Sequence, residues 1–122
     1  MSRLVALAIV LLACAALPAA AAEKRVYKVD SVIATVKGQR LIIQAKGAVQ
    51  TGGWKAARLH LIHSGETRTV AVEFLATPPP PGMTVIEALV PVEATLELRA
   101  RPHIANVRAV ADANDMTSQI LH

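Results

Sequence analysis

Leu41, Ile43, Ala45, Gly47 and Val49 fall on one side of an extended chain, and Gln44, Lys46 and Gln50 fall on the other. Alternation of this kind, with period two, runs through nearly the whole sequence, and no stretch carries a helical period. Ala57, Leu59 and Leu61 oppose Arg58 and His60. Val70, Val72 and Phe74 oppose Thr69, Ala71 and Glu73, and Leu96 and Leu98 oppose Glu97 and Arg99. A chain patterned this way buries one face of each segment in a pleated sheet, because successive side chains of a strand point to opposite faces. Runs rich in Val, Ile and Thr suit that half-buried surface.

Turn residues punctuate the runs: Lys37-Gly38-Gln39-Arg40, Thr51-Gly52-Gly53, Ser64-Gly65-Glu66, Pro78 to Pro81 with Gly82, Pro91, Arg101-Pro102-His103 and Asp112-Ala113-Asn114-Asp115. They divide the chain into strands expected at 26–36, 40–50, 54–63, 67–77, 84–90, 94–100 and 104–111. Seven short strands with one apolar face each predict an all-β, two-layer antiparallel β-sandwich of the immunoglobulin-like kind, with a small barrel as the alternative. The Cys–Trp–Cys pattern of antibody domains is missing, so the expectation concerns architecture and not family membership. No internal repeat and no long linker interrupts the pattern.

The first residues follow a different logic. Met1-Ser2-Arg3 is a short positive segment, Leu4 to Leu17 is apolar, Pro18 breaks the run, and Ala19 to Ala22 supply small residues for cleavage. That order is a secretory signal peptide over residues 1–22, which leaves 23–122 as one exported domain, periplasmic or secreted. Leu11-Leu12-Ala13-Cys14 also resembles a bacterial lipobox. Lipidation at Cys14 is the alternative, and it would turn an exported protein into an anchored envelope component.

Past the signal there is no further cysteine, so disulfides, thiol catalysis and thiolate metal sites are excluded from that domain. The whole chain carries a net charge of +4 with its basic residues scattered along the sequence, and its aromatics are one Trp, one Tyr and one Phe. Nucleic-acid binding calls for a clustered basic face with stacking platforms, so no nucleic-acid partner is expected. A membrane is expected as a partner only if Cys14 is lipidated.

The Thr51-Gly52-Gly53-Trp54 stretch is the leading candidate for a binding loop, with Lys55 and Arg58 beside it. Two glycines allow positive φ in a tight connection. Trp54 offers either a platform for a sugar ring or apolar partner, or a plug for an aromatic-poor core. With Ala57, Leu59 and Leu61 inward, strict alternation turns Trp54 outward; a bulge at Gly52-Gly53 or just after Trp54 shifts it by one residue and reverses that.

His60 and His63 are three apart and point to opposite faces of a strand, so without a bulge they form no joint site. A metal or small-solute carrier would need His60 together with His103. Asp112-Ala113-Asn114-Asp115 lacks the Gly and distant Glu of a calcium loop and reads as a turn held by its own side chains. The Pro78–Pro81 run reads as a stiff crossover. Neither a nucleophile elbow, nor paired carboxylates at a defined spacing, nor a phosphate loop is present, so the protein is not expected to be an enzyme and no cofactor is expected. The expected function is non-catalytic: recognition of a protein or envelope component through loops.

Overall fold

The computed structural model describes residues 22–63 and 65–122. The expected signal peptide, apart from Ala22, and Cys14 lie outside the described residues. Those described residues are all-β, with eight strands and no helix: β1 (Lys24–Arg25), β2 (Lys28–Lys37), β3 (Arg40–Val49), β4 (Lys55–Ile62), β5 (Thr69–Thr77), β6 (Val90–Arg99), β7 (Asn106–Val110) and β8 (Asp115–Leu121).

The strands join in one mixed sheet. β4 runs along one edge of β5. The other edge of β5 is shared, with β7 beside Thr69–Glu73 and β1 beside Leu75 and Ala76. From β7 the sheet continues through β8, β2 and β3 to β6. The pairs β5–β7 and β2–β8 are parallel and the rest antiparallel. The sheet curls until its end strands β4 and β6 approach each other without a ladder of hydrogen bonds between them, which makes a half-barrel.

The curl follows from burial. Phe74, Ile43, Val72, Val107, Val26, Val29 and Val49 are all fully enclosed, and they come from strands and connections around the whole curl. None of the buried residues among those described is polar or charged. A sheet that must cover one apolar face with no helix available can bury it by closing on itself.

Several expectations are corrected in detail. The strands belong to one curled, mixed sheet, where two antiparallel layers were expected, because the C-terminal β8 slots between β7 and β2 and pairs in parallel with β2. The expected strand 84–90 is an irregular segment, since its backbone finds few partners beyond Gly52 N–H on the Ile86 carbonyl at 2.9 Å. Strand β6 begins instead at Val90 and includes Pro91, which an edge strand tolerates because the missing N–H breaks no inner ladder. The first expected strand, 26–36, is observed as β2 from Lys28 to Lys37, with Val26 and Tyr27 outside it and a short unexpected β1 preceding them.

Candidate functional site

Trp54 stands at the entry to β4, where the backbone departs from regular pleating. The β4–β5 register slips between Lys55 and Arg58, and Ala56 sits at φ 56°. The extra residue reverses the alternation, so Trp54 packs against the core on the same side as Ala57 and Leu59. The indole stays partly exposed, and its Nε1–H donates to Thr51 Oγ1 at 3.1 Å. Large aromatics with one polar atom favour such a boundary position.

The double glycine before it serves close approach. Gly53 has φ 87°, and a Cβ there would lie 2.9 Å from the Pro79 side chain. Together with the Gly52–Ile86 hydrogen bond, this holds the 78–89 segment against the turn. Lys55 and Arg58 point outward and are exposed. Arg58 is committed to Glu23, with Nε and Nη2 donating to the two carboxylate oxygens at 2.5 and 2.6 Å. That bidentate bond holds the Glu23 carboxyl below its usual range and raises the Arg58 guanidinium.

Beside Trp54 a groove of about 350 Å³ opens, lined by Lys24, Arg25, Tyr27, Gln50, Trp54 and Asp112. Backbone hydrogen bonds fix its walls. Asp112 N–H donates to the Val26 carbonyl at 2.9 Å and Ala113 N–H to the Tyr27 carbonyl at 2.8 Å, so the β7–β8 turn grips the β1–β2 link. Two of the chain's three aromatic residues therefore line one hollow, together with Lys24, Arg25, Gln50 and Asp112. Sequence reasoning missed Lys24, Arg25, Tyr27, Gln50 and Asp112. The scarcity of aromatics was a signal in favour of Tyr27, but nothing in the order of residues joins positions 27, 54 and 112.

On the outer face of β1, β5 and β4, Arg25 Nε donates to Glu73 Oε2 at 2.9 Å, and His60 Nδ1 lies 3.4 Å from Glu73 Oε1. His60 and Glu73 are register partners across β4–β5. The hydrogen bond from Arg25, aided by His60 and opposed by partial burial, keeps the Glu73 carboxyl below its usual range. His103 lies in the exposed turn after β6, at the end of the molecule where β4 finishes. Among the described residues no three His, Cys, Asp or Glu side chains gather in a way that holds a metal ion. The Asp112–Asp115 turn departs from the expected pattern: Asn114 bonds the distant Val29 backbone and Asp115 pairs with Arg108 Nη2 at 2.6 Å.

No family model, no characterised protein and no solved structure matches this chain.

Proposed function

We propose that this is an exported, non-catalytic binding protein of the bacterial cell envelope, and that its ligand occupies the groove between Tyr27 and Trp54. The observation that carries this reading is the convergence of two scarce aromatics with Gln50, Asp112 and Lys24 in a hollow whose walls are pinned by backbone hydrogen bonds. A saccharide ring fits that chemistry. Its apolar face packs on an aromatic ring, and its hydroxyls exchange hydrogen bonds with an amide, a carboxylate and an ammonium. Preorganised walls lower the ordering cost of binding.

Trp54 is the single tryptophan, so its emission reports directly on the groove. Titration with oligomers of N-acetylglucosamine is expected to shift that emission saturably. Tyr27→Ala is expected to abolish the shift while the far-ultraviolet dichroism of the sheet is retained. An unchanged emission, with no heat in a calorimetric titration, would sink the saccharide reading.

A further inference from the structure

We propose that the pole of the half-barrel opposite the Tyr27–Trp54 groove is a docking surface for an anionic lipid bilayer. Strand directions bring distant segments together there. The β2–β3 turn, the β4–β5 connection, the β6–β7 connection and the end of β8 all lie at this pole. Backbone hydrogen bonds lock them to one another: Ala100 N–H to the Gln39 carbonyl at 2.8 Å, Ala105 N–H to the Arg68 carbonyl at 2.8 Å, and Ile120 N–H to the Ala105 carbonyl at 3.0 Å.

The result is a concentration of charge that the sequence disperses. Lys37, Arg40, Arg68, Arg99 and Arg101 are all exposed at this pole. His63, His103 and His122 lie there too. The acidic side chains of the pole are Glu66 and Glu97, and Glu97 accepts from Arg40 Nη1 at 3.1 Å. Lys37, Arg68, Arg99 and Arg101 make no ion pair among the described residues. Elsewhere the cations are largely neutralised, Arg25 by Glu73, Lys28 by Asp30, Arg58 by Glu23 and Arg108 by Asp115. Unpaired cations clustered on one pole attract an anionic surface and orient the molecule on it.

Apolar exposure at the same pole favours a bilayer over a soluble polyanion. Leu61 is 50% exposed and Leu121 58% exposed. Between Leu61, Leu98, Arg99 and Arg101 a hollow of about 180 Å³ opens where the end strands β4 and β6 meet. Arginine and leucine side by side suit the headgroup boundary, where the guanidinium meets phosphate and the aliphatic chain enters the acyl region. A molecule docked by this pole holds the Tyr27–Trp54 groove away from the membrane.

The test is flotation with vesicles of phosphatidylcholine containing 30% phosphatidylglycerol, against pure phosphatidylcholine, at low and high salt. Two variants that remove equal charge are compared: Arg99→Gln with Arg101→Gln at the pole, and Lys46→Gln with Lys55→Gln away from it. Residues 1–22 are common to both, so the difference reads the pole. The pole variant is expected to lose about 25-fold in partitioning at unchanged melting temperature, from roughly fivefold per basic group, and the other variant to lose little. Leu121→Asn is expected to lose several-fold. Equal losses in the two charge variants would mean attraction by net charge alone and overturn the proposal, as would binding to pure phosphatidylcholine of equal strength. A pole-specific loss with Leu121→Asn unchanged would reassign the surface to a soluble polyanion and overturn the bilayer as its occupant.

Discussion

The side-chain amide of Asn114 takes the place of a strand at the bulge in β2: its Oδ1 accepts from Val29 N–H at 2.8 Å and its Nδ2 donates to the Val29 carbonyl at 2.9 Å. The two residues lie 85 positions apart. The β2–β3 register slips between Val29 and Ser31, and the edge of Val29 that faces away from β3 is completed by this amide. Asn114 thereby ties the β7–β8 turn to the start of β2, on the same side as the contacts of Asp112 and Ala113 that hold Tyr27.

Asn114→Ala leaves a backbone N–H and a carbonyl partly buried without this partner. The expected loss is about 1–3 kcal/mol of unfolding free energy, read by urea denaturation. Faster hydrogen exchange at Val29 accompanies it, because the lost bond is local.

Gly47→Ala tests the close approach of β3 to the same bulge. A Cβ at Gly47 would lie 2.0 Å from the Lys28 carbonyl oxygen and 3.1 Å from the Val29 Cα. Both are backbone atoms, so the strand pair itself must move. Destabilisation of at least about 2 kcal/mol is expected by chemical denaturation, at the upper end of overpacking costs.

Substitutions of Trp54 separate its packing from its polar atom. Trp54→Phe keeps much of the apolar contact and loses the hydrogen bond to Thr51, which costs about 1 kcal/mol. Trp54→Ala is expected to cost about 2–3 kcal/mol, below the range for a fully enclosed indole because this one is partly exposed. Equal, negligible losses in both variants, measured by thermal and urea unfolding, would contradict the packing of Trp54 on the core.

Acid should loosen the outer face of β4 and β5. The carboxyl of Glu73 is lowered in the folded state by Arg25 and then His60, and that of Glu23 by Arg58. A depressed folded pKa stabilises the fold above the unfolded value, and the contribution disappears as pH falls from about 4.3, the ordinary glutamate value, through the folded value. Melting temperature should therefore drop across that window, and Glu73→Gln should flatten part of the drop. Both groups border solvent, so the effect is modest and weakens with salt.

Much of the strand inventory can be read from the residues themselves. Leu41, Ile43, Ala45 and Val49 are buried as their spacing requires, and so are Val72 and Phe74. The β8 strand escaped notice because Thr117, Ser118 and Gln119 carry no apolar alternation and Ile120 is the one buried residue of the strand. The 84–90 segment misled in the opposite sense, since Val85, Ile86 and Leu89 look like strand but have no neighbouring strand to pair with. For the candidate groove, Trp54 was visible as a rare aromatic after a double glycine, while its partners Tyr27 and Asp112 were not.

Local pattern alone determined that the described residues are all-β and which face of most strands turns inward, because the two-residue period of a strand is a property of the backbone. Pairing partners, the parallel contacts of β8 and β7, the curl, the groove and the basic pole were decided only by tertiary structure. Those features depend on which strands lie side by side, and that choice is made by burial of the whole apolar face at once. No single segment carries the information, so residues 27, 54 and 112 come to line one groove, and residues 37, 68 and 101 to share one pole, only when the sheet closes.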